Sequence, residues 1–145
     1  MNGRLVLAVG LSLAVGGWIG CGGGGPAPVS GTITYKDKPV VNASVSFTPV
    51  EGSGPAATGL TDSAGHYNLG TLTTNDGAMP GKYRVGVIAR GPERAPKPGE
   101  VNSGMPGEMM PGAPVIPTKF FAPDTSGLTF EVVAGRNTAD FPLKD

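Results

Sequence analysis

Asp62, Ser63 and His66 stand close together in the chain, and His66 is its single histidine. A carboxylate, a hydroxyl and an imidazole are the three groups of a hydrolytic triad, but triads draw their members from separate elements so that nucleophile, base and orienter line up. Here all three fall in Asp62-Ser-Ala-Gly65-His66, a tight-turn segment, so hydrolysis is set aside. Met105, Met109 and Met110 offer the thioether sulfurs that hold Cu(I). They are scattered through a Pro/Gly-rich stretch, and loop composition accounts for them. Asp62, Asn75 and Asp76 could gather oxygens around Ca²⁺, yet they lack a regular ligand spacing. Capping of turn amides is the better account of their positions. Lys36 or Lys38 with Asn137, and Glu131 as proton relay, are the residues an intramolecular Lys–Asn isopeptide would need. Both lysines flank Asp37 in a turn, where burial is poor. The sequence therefore assigns no catalytic residue, no metal ligand and no cofactor.

The remaining reactive side chain is Cys21, the only cysteine, so no intrachain disulfide is possible. It closes a leader, residues 1–20, with one cation, Arg4, and the apolar run Leu5-Val-Leu-Ala-Val-Gly-Leu-Ser-Leu-Ala-Val15. Eleven residues is the length of a signal-peptide h-region and falls short of the roughly 20 that span a bilayer. The ending Trp18-Ile-Gly-Cys21 resembles a bacterial lipobox, with Trp18 where leucine is usual. The resemblance implies cleavage before Cys21 and a diacylglyceryl or palmitoyl group on its sulfur, which would also account for a lone thiol in an exported chain. Residues 21–28, Cys-Gly-Gly-Gly-Gly-Pro-Ala-Pro, then read as a tether, flexible first and stiffer later. Gly22 is not the acidic residue that retains some lipoproteins at the inner membrane. The expected location is the cell membrane or outer membrane, with the domain in the periplasm or at the cell surface.

What the anchor would carry is bounded by composition. The chain has 145 residues with 25 Gly and 15 Pro, the poorest helix formers, which excludes a helical bundle or a doubly wound domain. Eleven Lys+Arg balance eleven Asp+Glu, so there is no electrostatic footprint for nucleic acid. Hydrophobic residues at 39% are enough to build a core in one domain, residues 29–145.

Within it the apolar residues alternate. Val29, Gly31, Ile33 and Tyr35 share one face of a strand, which the polar turn at Lys36-Asp37-Lys38-Pro39 closes. Ala43, Val45 and Phe47 make the next, and Ala57 to Thr61 a weaker one. Asp62 to Gly65 turns the chain, and Tyr67 and Leu69 continue the ladder. Tyr83, Val85 and Val87 form the clearest strand. Leu128, Phe130 and Val132 alternate again, with Ala134-Gly-Arg-Asn137 predicted as a hairpin turn and Ala139, Phe141 and Leu143 returning. Seven or eight short strands and no helix predict an all-β, antiparallel β-sandwich. Residues 90–117 break the pattern: seven Pro and five Gly remove ladder donors and predict a flexible excursion. Phe120-Phe121 follows it. As a strand, this adjacent pair turns one ring outward, the best candidate for a partner contact.

Four motifs occur in order: Gly31-x-Ile33; Pro39-x-x-x-Ala43-x-Val45-x-Phe47; Thr61-Asp62-x-x-Gly65-x-Tyr67; and Pro80-Gly81-x-Tyr83-x-Val85. Together they resemble the carboxypeptidase regulatory-like domain, one of the transthyretin-like (prealbumin-like), Ig-like sandwiches, over Val29 to Ala89. The resemblance implies a module used as spacer, adhesion unit or binding domain. The hydroxyisourate hydrolases of this fold end in Tyr-Arg-Gly-Ser, whereas this chain ends Phe141-Pro-Leu-Lys-Asp145. Tyr67 and Tyr83 are expected to pack with their hydroxyls near solvent. The expectation overall is a non-enzymatic, lipid-anchored envelope protein that touches the membrane through its lipid and an envelope protein or glycan through its domain. The alternative is a small-ligand or carbohydrate-binding module using the end loops of the sandwich.

Overall fold

The computed structural model describes residues 24–50, 54–100, 105 and 108–145. The leader, Cys21 and the first tether glycines lie outside the described residues. The period-two alternation is realised in β1 (Val29–Tyr35), where Val29, Gly31 and Ile33 are buried and the residues between them face outward. Lys36 and Asp37 both take positive φ, 50° and 61°, the backbone of a tight hairpin turn whose twist suits paired strands. The chain therefore folds straight back as β2 (Lys38–Pro39), with Thr34 opposite Pro39. β3 (Ser44–Pro49), β4 (Ala57–Leu60), β5 (His66–Asn68) and β6 (Gly81–Ile88) follow as the alternation predicts.

Two sheets result. One is wholly antiparallel in the order β4-β3-β6-β7, with β7 at Leu128–Val132. The other is built around β1, with β2 and β5 along one side and β8 (Asn137–Thr138) and β9 (Phe141–Leu143) along the other. The domain is thus an all-β, two-sheet, mostly antiparallel sandwich. Its centre is Phe47, whose ring lies 5.9–6.5 Å from those of Tyr67, Tyr83, Phe130 and Phe141 in tilted and edge-on contacts, the geometry aromatic quadrupoles favour.

The C-terminal hairpin is corrected. β8 and β9 do not pair with β7 but cross to the other sheet and run parallel to β1, with Asn137 opposite Val29 and Phe141 opposite Ile33. The cause lies in Asn137, which is buried. Its Oδ1 accepts the Val133 N–H, its Nδ2 donates to Val133 O and Gly135 O, and its own N–H donates to Pro28 O. The side chain thus completes the turn that a hairpin partner would have completed, and the backbone is handed to β1. Gly31 makes room for the crossing: a Cβ there would sit 1.9 Å from Ala139 O. That same carbonyl accepts a 2.6 Å bond from the Tyr67 hydroxyl. Tyr67 is therefore buried to its tip, and burial pushes its phenol pKa up; only Tyr83, bonded to Met79 O at 2.8 Å, keeps its hydroxyl part-buried.

The expectation of no helix is also corrected. A 3-10 turn (Thr118–Phe121) and one turn of helix, α1 (Pro123–Ser126), occupy the approach to β7. Pro123 sits at the first helical position, where its missing N–H costs nothing. Thr125 Oγ1 donates to Lys119 O, and Ser126 Oγ to Val85 O at 2.5 Å. Gly86 lets α1 lie on β6, since a Cβ there would meet Pro123 Cδ at 3.0 Å.

Candidate functional site

Between the edge of one sheet, β4, and the edge of the other, β5, the backbones of Thr58 and Gly70 exchange hydrogen bonds of 2.8 and 2.9 Å. Beside this junction lies an open groove of about 580 Å³. Its floor is backbone: the carbonyl of Asn68 occupies the space a side chain at Gly59 would need, 2.5 Å from an ideal Cβ. One wall is formed by Asp62 and His66, at the two ends of a tight turn; the other is the loop from Thr71 to Asn75.

Both walls are held by carboxylates. Asp62 Oδ1 accepts the N–H groups of Ala64 and His66 at 2.8 and 3.0 Å. Gly65 closes the turn at φ 77°, where an L side chain is strained. Asp76 takes three amides, those of Thr71, Leu72 and Thr73, at 2.6 to 3.0 Å, while Thr71 Oγ1 donates to Gly77 O. Hydrogen bonds from these backbone amides keep both carboxyls below the usual carboxylate range. What the walls present to solvent is different in kind. The side chains of Thr58, Asn68, Thr74 and Asn75 make no hydrogen bond among the described residues. Leu60 and Leu72 stand at the rim, 64% and 75% exposed. No Lys or Arg lines the groove.

The residues weighed for chemistry are now placed. His66 turns Nδ1 to the Thr32 hydroxyl of β1, 2.9 Å away, and Asp62 serves backbone amides, so Asp62, Ser63 and His66 build a turn. Lys36 lies beyond one end of β1 and Asn137 is opposite its other end, about 20 Å away at strand rise. Lys36 pairs instead with Asp145 at 2.8 Å, and the isopeptide candidates are not brought together. Met105 and Met109 are exposed, and Met110 exchanges backbone bonds with Arg94. Among the described residues no three His, Cys, Asp or Glu side chains gather as metal ligands.

The aromatic pair is not in a strand. In the 3-10 turn Phe120 packs into the core, 4% exposed, while Phe121 is half-buried with the Arg90 guanidinium 5.0 Å over its ring. Of the two rings, Phe121 alone reaches the surface. The excursion 90–117 returns on itself where it is described: Gly91 N–H donates to Ala113 O, Arg94 and Met110 exchange bonds of 3.0 and 2.7 Å, and Val115 N–H donates to Ala89 O. Glu100 clamps Arg94 with two bonds of 2.7 and 3.1 Å. This guanidinium contact lowers the carboxyl to about 2.

The groove itself escaped sequence reasoning, which weighed Asn75 and Asp76 only as calcium ligands or as caps of turn amides. Its signal was Leu72, an apolar residue set among threonines where a turn needs none.

No family model matches the chain, and no curated protein matches it. Among solved structures, the dioxygenase domain of a dioxygenase carbohydrate-binding protein fusion from Streptomyces sp. SirexAA-E is similar at 20% identity, over 86% of this chain and 83% of that one, with a TM-score of 0.36. A likeness at that level carries no argument.

Proposed function

We propose that this chain is an exported, lipid-anchored protein of the cell envelope that acts by contact and not by catalysis. The observation that carries the proposal is the 11-residue apolar run that follows Arg4 and leads to Ile19-Gly20-Cys21, with Cys21 the sole cysteine. The geometry downstream agrees with a tethered domain. Ala27 and Ala78 exchange backbone bonds of 2.8 and 3.0 Å, so the leash is short. From Cys21 to Pro26 it reaches at most about 17 Å, and it leaves the sandwich at the pole formed by the loop before β6 and the turn before β8. In this proposal that pole is where the tether joins the domain, and the flexible glycines leave the domain's orientation free.

The family relation is part of the same proposal. The carboxypeptidase regulatory-like, transthyretin-like reading is supported by the order of its four motifs, and by Gly31, Phe47, Gly65 and Tyr67 occupying buried core and turn positions.

Radiolabelled palmitate decides the anchor. Wild type takes up label and Cys21→Ser takes up none; equal label in both removes the anchor from the proposal. A second reading, a binding module, is favoured by one observation: the two exposed leucines at the rim of a groove whose walls are held by carboxylate-capped turns.

A further inference from the structure

From the groove between β4 and β5 we infer a binding site for a neutral oligosaccharide. The inference rests on the binding reading just given and is independent of the anchor.

Three properties of the site select that class of ligand. First, the groups along the groove that make no hydrogen bond among the described residues include two primary amides, Asn68 and Asn75, two hydroxyls, Thr58 and Thr74, and the Nε2 edge of His66. Amides and hydroxyls both donate and accept, as do sugar hydroxyls, and an amide presents its donor and acceptor side by side, as a vicinal diol requires. Second, the charge is wrong for anions. No Lys or Arg lines the groove, and Asp62 at its wall repels a carboxylate or phosphate. Third, Leu60 and Leu72 offer aliphatic surface at the lips. A single exposed leucine means little, but two flanking one polar groove match the C–H face of a pyranose ring beside its hydroxyls. The volume, about 580 Å³, falls within the range of small-molecule sites.

The walls give the site the rigidity that weak polar contacts need. Asp76 fixes three consecutive amides of the loop that carries Leu72, Thr74 and Asn75. Little conformational freedom therefore remains to be lost on binding. No exposed Phe, Tyr or Trp ring lines the groove to stack on a sugar, so the affinity expected is weak, with Kd about 1 mM.

The test uses the full-length chain in detergent micelles, amide NMR spectra, and four tetrasaccharide probes: cellotetraose, maltotetraose, chitotetraose and, as the anionic counterpart, tetragalacturonate. The expected result is saturable shifts from at least one neutral probe, concentrated at Thr58, Asn68 and Thr71 to Asn75, with none from tetragalacturonate. Asn68→Ala and Asn75→Gly each weaken binding about tenfold. Asn75 sits at φ 63°, so glycine removes the amide without straining the loop. Leu72→Ala, at an exposed rim position, is the variant least able to disturb folding, and it weakens the same response. Shifts from tetragalacturonate as large as those from the neutral probes would overturn the neutral-sugar assignment while leaving a groove that binds. No shift from any probe at about 10 mM, or shifts unchanged in all three variants, would overturn the site itself. Neither result bears on palmitate labelling.

Discussion

Thr61 is buried, and the methyl group of a buried threonine invites the view that it is a core residue whose hydroxyl is incidental. The structure assigns the opposite weights. Thr61 Oγ1 accepts the Ala43 N–H at 2.7 Å and donates to Val40 O at 2.7 Å, both buried groups at the corner where β2 leads to β3. The Thr61 backbone adds a bond to Ala43 O and receives one from Asn42. The segment from Val40 to Ala43 thus folds around one side chain in place of a ladder. Thr61→Val keeps the shape and the apolar contact but leaves a donor and an acceptor buried without partners. Each costs about 1–3 kcal/mol, so the loss is about 2–4 kcal/mol, since part of the corner can relax toward solvent. Thr61→Ser keeps both bonds and loses one buried methyl, about 1 kcal/mol. Guanidinium unfolding of the full-length chain, followed by far-UV circular dichroism, reads both differences as midpoint shifts at constant slope. The stability order is wild type, then Ser, then Val. A Val variant as stable as wild type, or more stable than the Ser variant, would refute the reasoning, because transfer of apolar surface alone favours valine.

Two further outcomes follow from close packing and from charge. Gly31→Ala forces the Ala139 carbonyl away from a Cβ 1.9 Å distant and breaks the bond Tyr67 makes to it. A loss of about 3 kcal/mol or more is expected in the same unfolding assay, and a loss below 1 kcal/mol would show that β9 is free to shift. Glu100→Gln weakens the clamp on Arg94, and hydrogen exchange at the Arg94 and Met110 amides is expected to quicken in the variant. Because the folded pKa of Glu100 is depressed from 4.5 to about 2, protection in wild type is complete above the ordinary glutamate value and is lost as pH falls toward about 2. The variant shows no such transition over that interval. Equal exchange in both proteins would mean that the ribbon holds by backbone pairing alone.

Features readable from the sequence are those whose determinants lie within a few residues. β1 and β6 follow from alternation, and the turn at Asp62 follows from an aspartate two residues before the amide it caps and a glycine at the left-handed position. The Phe120-Phe121 pair shows where local rules stop. Alternation presupposes a strand, but Pro117 and Pro123 bracket the segment, and in a 3-10 turn successive side chains splay by about 120° and not 180°, so both rings can touch the core. Phe120 then becomes core and Phe121 its half-exposed neighbour. The groove was illegible for a different reason: its lining is drawn from β4, from Asp62 and β5, and from the loop Thr71 to Asn75, and nothing near Thr58 in sequence announces Asn75.

The C-terminal crossing is the most instructive case, because the local signal there was correct and still insufficient. Alternation at Phe141 and Leu143 does mark a strand, and Gly135 does mark a turn. Whether the strand joins β7 or crosses to β1 depends on three residues far from it or easily misread. Gly31 leaves space for a carbonyl, Tyr67 supplies a donor to that carbonyl, and Asn137 completes the turn with its side chain. A hairpin would have left the Tyr67 hydroxyl buried without a partner and one side of β1 without a neighbour. Both are costs that outweigh the short loop-closure advantage of an adjacent strand. Parallel pairing at β1 is therefore the arrangement that satisfies the most buried polar groups. It also places the β1 edge of the sheet under Pro142, which has no N–H to offer an incoming strand.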